Sequence, residues 1–286
     1  MTMPIDMTWL KINFPELTDF QPLGQGGQKV VLRANHFQEG PVVLKIVYPR
    51  TDPESVRREI LAVQRVRSPR VPRILDQGVA NTNLGSCVWL REELVAGENL
   101  RALLGRSPMQ SKSVLRLGLQ MLEALEEAEL AQIVHRDVKP DNIMCDAFGN
   151  FWLLDFGIAR HLELSSLTGS ALPFGKMTLG YAPPEQCRNF KADIDARADL
   201  FALGVTLFEC ATGTNPFFQP PPRDQLEILK RVEKLVLPPL ILPIAAKDSF
   251  RDLVATMTQK SRIHRPRTVG QAKEWLSEIY QSEGLA

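Results

Sequence analysis

The chain has 286 residues, 44% of them hydrophobic, which is enough to bury a sizeable core and excludes disorder as its dominant state. Its 34 basic and 33 acidic residues nearly cancel, and a formal charge of +1 provides no overall basic field of the kind that draws proteins to nucleic acid. Cys87, Cys145, Cys187 and Cys210 lie far apart with no C-x-x-C pair, which argues against a zinc ribbon or thioredoxin-type site and for reduced thiols in a cytoplasmic protein.

The first segment, Met1 to Asn13, carries Asp6 and lacks the apolar stretch of a signal peptide. No later run approaches the roughly 18 uncharged apolar residues of a membrane span, so no membrane contact is expected. Phe20 to Val47 reads as strands broken by the glycine-rich turn Gly24-Gln25-Gly26-Gly27, which precedes the β-branched pair Val30-Val31. Within the strand Pro41 to Val47, Lys45 is the lone charge. A lysine in such a strand needs a partner, and a phosphate held under glycine amides would supply one. From about Pro53 to Arg67 the pattern turns helical, with Val56, Ile60 and Val63 on one face and Glu59 beside them. By itself Glu59 reads as a solvated surface group, and only Lys45 makes it an ion-pair candidate. Ser68-Pro69-Arg70-Val71-Pro72 breaks the helix, and strands are expected at Val71 to Leu75 and Cys87 to Leu94 around the turn-rich Asn81 to Ser86.

After Gly97 the composition shifts towards helix. Asn99 to Leu104 is a short helical piece, and Ser111 to Leu130 a long helix with Val114, Leu115, Leu119, Leu122 and Leu125 as its core stripe. A boundary at Val95-Ala96-Gly97 therefore separates a small β-rich part from a larger helical one, and ligand sites favour such boundaries. Ile158 to Gly180 lacks periodicity and reads as a long loop, a length that is uncommon unless functional. Asp199 to Thr212 is a buried apolar helix stopped by Gly213, and Pro216 to Pro222 forms an ordered connection. Leu226 to Leu235, Ala245 to Thr258 and Val269 to Tyr280 are further amphipathic helices.

The chemistry concentrates in His135-Arg136-Asp137-Val138-Lys139-Pro140-Asp141-Asn142, where carboxylates, cations and an amide crowd a stretch too rich in Pro, Asp and Asn for a helix interior. Asp155-Phe156-Gly157 follows the strand-like run Phe151 to Leu154. Together the two motifs read as a phosphoryl-transfer site.

These motifs, in this order, resemble the catalytic domain of eukaryotic-type Ser/Thr protein kinases, and loosely its bacterial members, over roughly Phe20 to Ile279. The resemblance implies an α+β, two-lobed kinase fold. It would comprise an N-terminal extension at 1–19, a small β-rich N-lobe with one main helix at 20–96, a larger mostly helical C-lobe at 97–280, and a short tail at 281–286. It implies ATP and Mg²⁺, with transfer of the γ-phosphate to Ser/Thr hydroxyls of protein substrates and of the chain itself. Gly24, Gln25, Gly26 and Gly27 would cover the ATP phosphates, with Val31 at the closing valine of the glycine-loop motif and Lys29 where its third glycine stands. Lys45 would contact the α and β phosphates, held by Glu59, with Glu54 as the fallback. The backbone of Glu93 and Val95 would bond adenine, sandwiched by Val31, Val43 and Met144. Asp137 would accept the substrate hydroxyl proton, and Lys139 would neutralise charge on the transferred group. Asn142 and Asp155 would hold Mg²⁺, and Thr178 would bond both Asp137 and Lys139.

The same resemblance puts His135 and Phe156 in a regulatory stack with Val63 and Ile74, sets Asp199 beneath the catalytic loop, and pairs Glu185 with Arg265. Arg136 would receive a phosphate on Thr168 or Ser170. Asp141 is left without a role. Two positions depart from the family pattern: Val43 replaces the usual Ala, and Glu92 replaces an apolar residue or Thr, where a carboxylate costs free energy unless paired or solvated. Glu92 and the irregular glycine loop, with Lys29 in place of its third glycine, motivate a competing reading as a pseudokinase, a nucleotide-binding or scaffold module, against which the complete catalytic set argues. A small-molecule phosphotransferase is a third reading, disfavoured by the segment Thr178 to Glu185.

Overall fold

β-branched and aromatic residues in the first hundred positions build a five-stranded antiparallel sheet: β1 (Leu17–Gly26), β2 (Lys29–His36), β3 (Gly40–Val47), β4 (Ile74–Thr82) and β5 (Gly85–Glu93), in the order β1-β2-β3-β5-β4. The computed structural model describes residues 5–26, 29–47, 60–82, 85–156, 178–188 and 193–285. They form two units in an α+β fold: described residues within 5–65 and 72–95 make the first, and those within 66–71, 96–156 and 178–285 the second.

In the first unit β3 is buried along nearly its whole length because both faces of the sheet are covered. Leu32, Ala34, Val42, Leu44 and Ile46 pack on one face with Leu10, Phe14 and Leu17. Val47, Val88 and Leu90 pack on the other with Ile60, from the helical residues 60–63, and with Ile74. No element is expected ahead of Phe20, yet α1 (Met7–Asn13) stands there, capped by Asp6 Oδ1 accepting from the Trp9 amide at 2.7 Å. Phe14, at the end of that helix, is 1% exposed and meets Trp89 edge to face at 5.2 Å. At seven residues α1 is too short for a periodicity signal, and it is held by packing instead of propensity. β4 also departs from expectation, running over Ile74–Thr82 and not Val71 to Leu75. Pro72 has no amide hydrogen to give a ladder, so pairing starts after it. Around the expected turn at Asn81 to Ser86, Asn81 pairs with Ser86 and Thr82 with Gly85.

The second unit begins its own three-stranded sheet with β6 (Gly97–Asn99), β7 (Ile143–Asp146) and β8 (Phe151–Leu153). Its helices are α2 (Leu100–Leu104), α3 (Ser111–Leu130), α4 (Pro184–Cys187), α5 (Arg197–Thr212), α6 (Gln225–Lys234), α7 (Lys247–Met257) and α8 (Val269–Ser282). α5 is buried from Ala198 to Cys210 and ends at Gly213, whose φ of +79° makes the left-handed C-cap. On α3 the buried stripe includes Leu117 where Leu119 was expected, and Leu119 is half-buried. The same helix buries Gln120, whose carbonyl oxygen accepts from the Phe151 amide at 2.7 Å and so fixes the strand that leads to Asp155. Among the described residues no helix is long and apolar enough to cross a membrane.

Phe14→Ala tests whether α1 belongs to the first unit. Loss of a fully buried ring is expected to cost about 3–5 kcal/mol in urea unfolding. A change below about 1 kcal/mol would mean that the helix does not contribute to the core.

Candidate active site

Antiparallel register places Val31 opposite Lys45 and Val43 opposite Glu92, so Val31, Val43, Lys45 and Glu92 share one face of the first unit's sheet. On that face the Lys45 ammonium pairs with the Glu92 carboxylate, with side-chain exposures of 10% and 12%. The unusual carboxylate at 92 is therefore paired, and the pairing offsets part of the cost of burying it. Glu59, Glu54 and Gly27 lie outside the described residues, as do Thr168 and Ser170. Gly24, Gln25 and Gly26 close β1 opposite Val31, Val30 and Lys29. At the end of β5 the Glu93 amide donates to the Arg73 carbonyl at 3.0 Å, which leaves the Glu93 carbonyl as its candidate adenine contact. Val95 belongs to the first unit and Met144 to β7 of the second.

The loop His135 to Asn142 is set by a single buried carboxylate. Asp199, near the start of α5, accepts the His135 amide on Oδ2 and the Arg136 amide on Oδ1, both at 2.7 Å. Gln186 adds a bond from its side-chain nitrogen to the Arg136 carbonyl at 2.9 Å. These three bonds hold Arg136 in the left-handed region, at φ +64°, where a non-glycine residue is strained. Burial pushes the Asp199 carboxyl up from its ordinary 3.8 to about 7, against the pull of the two amides. His135 is fully buried; its Nδ1 accepts from the Asp137 amide at 3.2 Å, so Nε2 carries the proton and donates to the Leu154 carbonyl at 2.9 Å. Its ring meets Phe156 edge to face at 4.7 Å. Ile74 packs in the first unit, and half-buried Val63 follows Ile60 there.

Downstream of this anchor the reactive groups converge. The Thr178 hydroxyl donates to Asp137 Oδ1 at 2.9 Å and accepts from the Lys139 ammonium at 2.7 Å. The Asn142 side-chain nitrogen donates to Asp137 Oδ2 at 2.9 Å and to the Asp137 carbonyl at 2.8 Å, and Lys139 stands 3.1 Å from the same Oδ2. Because the Asn142 nitrogen faces Asp137, its carbonyl oxygen is the atom left to meet a cation. Asp155 is held near it: the Leu154 amide donates to the Asn142 backbone carbonyl at 2.8 Å, and Asp155 takes a left-handed φ of +57°. One amide oxygen and one carboxylate suit Mg²⁺, which takes few protein ligands beside phosphates and water. Among the described residues no group of three or more His, Cys, Asp or Glu side chains gathers as a metal cage, and such a magnesium site needs none.

Glu185 and Arg265 form a bidentate pair at 2.6 and 3.0 Å, with the Arg265 side chain fully buried. A second network carries no motif in the sequence. Arg101 donates to Glu209 and to the Tyr181 hydroxyl, both at 2.5 Å, and to Asp141 at 3.2 and 3.3 Å. The available signal was Glu209, a carboxylate in a helix buried nearly all round, which must have a partner.

The first unit's sheet face with a paired lysine, and the second unit's loop in which a carboxylate, an ammonium, an amide and a hydroxyl converge, are each features of a protein kinase domain. The chain belongs to the protein kinase domain family, whose model matches residues 17–280. It is 35% identical to the serine/threonine-protein kinase pkn3 of Myxococcus xanthus over 209 residues, covering 68% of this chain and 37% of that protein. It is 34% identical to the serine/threonine-protein kinase PknL of Mycobacterium tuberculosis over 202 residues, covering 68% and 49%. A probable serine/threonine-protein kinase of Clostridium perfringens matches over 270 residues at 28% identity, covering 91% and 37%. The chain thus spans less than half the length of these curated relatives.

Two outcomes follow from the geometry. Lys45→Met, which strands the Glu92 carboxylate, is expected to cost about 3–5 kcal/mol in urea unfolding, and Lys45→Met/Glu92→Met to recover at least half of that loss. The second concerns Asp199. Its raised pKa means that its contribution to stability is complete below about 3.8 and is lost as the pH rises through about 7. The gap in melting temperature between wild type and Asp199→Asn should therefore be widest near pH 4, shrink steadily above it and be lost by pH 8; a gap independent of pH would contradict that assignment.

Proposed function

We propose that this chain is an active Ser/Thr protein kinase that transfers the γ-phosphoryl group of ATP to hydroxyls of protein substrates. The observation that carries the reading is the cluster in which Asp137 is bonded at once by Thr178, Lys139 and Asn142. A substrate hydroxyl attacks the γ-phosphorus, a new O–P bond forms, the bond to the β-phosphate oxygen breaks, and the hydroxyl proton passes to the Asp137 carboxylate. Thr178 and Asn142 hold that carboxylate on its two oxygens, so its rotation is fixed before substrate arrives. Lys139 is already beside the carboxylate and offsets charge on the transferred phosphoryl group. Asn142 and Asp155 are assigned to Mg²⁺, which when bound would neutralise phosphate charge.

The remaining assignments of this reading are for the nucleotide. Lys45 takes the α and β phosphates, with Glu59 as its helix partner, and Gly24 to Gly27 cover them. The backbone of Glu93 and Val95 takes adenine, with Val31, Val43 and Met144 against the ring. Residues 20–96 then make the N-lobe and 97–280 the C-lobe. Free thiols at Cys87, Cys145, Cys187 and Cys210 support a cytoplasmic setting. The near-cancelling charge supports protein over nucleic acid as partner.

Incubation with Mg²⁺-ATP and a serine- and threonine-rich peptide tests the reading. Wild type is expected to turn over, and Asp137→Asn to lower kcat by about 10²–10⁴-fold. Thr178→Ala should lower kcat while Thr178→Ser retains most of it, since only the hydroxyl is used. Nucleotide-dependent stabilisation with no turnover above Asp137→Asn would favour the pseudokinase reading instead.

A further inference from the structure

Thr178 is fixed to the catalytic loop through Asp137 and Lys139, and the chain then makes one tight turn, in which the Tyr181 and Ala182 amides both donate to the Thr178 carbonyl at 3.3 Å. Asn215 steadies the turn by donating to the Gly180 carbonyl at 3.2 Å. Gly180 sits at φ +82°, and a Cβ there would meet the Phe218 ring at 2.9 Å, so the turn has little room to relax. At its far end the Tyr181 side chain is buried against Glu209 of α5, its hydroxyl donating to that carboxylate. Arg101 reaches this pair from α2 and continues to Asp141, four positions beyond Asp137 in the same loop. The α2 start is itself tied there: Asn99 caps the Arg101 amide at 2.8 Å and donates to the Asp141 carbonyl at 2.6 Å. The hydrogen bonds close a ring from Asp137 through Thr178, the turn, Tyr181, Arg101 and Asp141 back along the loop to Asp137.

Resting on the kinase reading above, we propose that Arg101 is a positioning residue for the reaction: it closes this ring and so fixes Thr178, and through it the Asp137 carboxylate, at both ends of the turn. The guanidinium is suited to the task because its planar fork can serve three acceptors in different directions, which an ammonium on a flexible stem does not reproduce. The arm to Asp141 contributes little to stability, since Arg101 is 39% and Asp141 48% exposed at the side chain. What that arm supplies is a geometric link between the loop holding the base and the turn holding Thr178. The Glu209 arm differs: Glu209 is 7% exposed and needs a cationic partner for its buried charge.

The test uses the full chain with Mg²⁺-ATP and a serine-containing peptide. For Arg101→Lys, which keeps the charge, kcat should fall about tenfold while the KM for ATP stays within about twofold of wild type. Asp141→Ala, which breaks only the exposed arm, should lower kcat similarly with an unchanged melting temperature, and Arg101→Lys/Asp141→Ala should be no slower than Arg101→Lys alone. If Arg101→Lys turns over like wild type, or the two substitutions multiply, the ring has no positioning role. Should Arg101→Lys fail to fold, Asp141→Ala decides by itself: full kcat overturns the proposal, and a lowered kcat at unchanged melting temperature supports it. Failure of the wild-type chain to transfer phosphate would overturn the kinase reading and the ring's role with it, whereas wild-type turnover with unaffected variants overturns the ring alone.

Discussion

The site depends on one buried carboxylate. Asp199 is delivered by α5, which is buried over most of its length, and it takes the amides of His135 and Arg136 at 2.7 Å each. An isolated buried carboxylate would be costly, and the two amides are what offset that cost. In return the loop backbone is pinned at Arg136 in a left-handed conformation that local forces would not hold. Three of the reactive groups follow within six residues of that pin. Asp137, Lys139 and Asn142 project from a loop whose path is set by Asp199, and Thr178 is then captured by Asp137 and Lys139.

Much of the site was legible in the sequence because its chemistry is local. Asp137, Lys139 and Asn142 stand within six residues, and the short runs around Asp155 and Thr178 carry recognisable motifs. The α+β fold was legible for a related reason: α3 is a long amphipathic pattern, and β3, too short for periodicity to decide, is rich in valine and flanked by Gly40 and Pro41. α1 was not legible, since seven residues give no period and its anchoring ring, Phe14, finds Trp89 only through the fold.

Charge pairing was the other gap. Glu92 stood out as a carboxylate in an apolar position, and its partner could be inferred only once strand register set Lys45 on the same sheet face. Arg101, Tyr181 and Glu209 are separated by long stretches of sequence, so no motif joins them, and Asp141 looked like a variable filler between Pro140 and Asn142. In both units a charge in an apolar context was the usable signal, while its partner was a property of topology. The same physics operates at each place: a buried ion without a counter-ion is destabilising, so the partner must exist even when the chain does not announce it.

The central claim is that the cluster around Asp137 transfers phosphate to Ser/Thr hydroxyls. The most direct measurement compares three peptides identical except for a single Ser, Thr or Tyr acceptor, incubated with the full chain and Mg²⁺-ATP, with phosphate located by mass spectrometry. The account predicts phosphate on the Ser and Thr peptides and none on Tyr; phosphate confined to Tyr, or absent from all three, would contradict it.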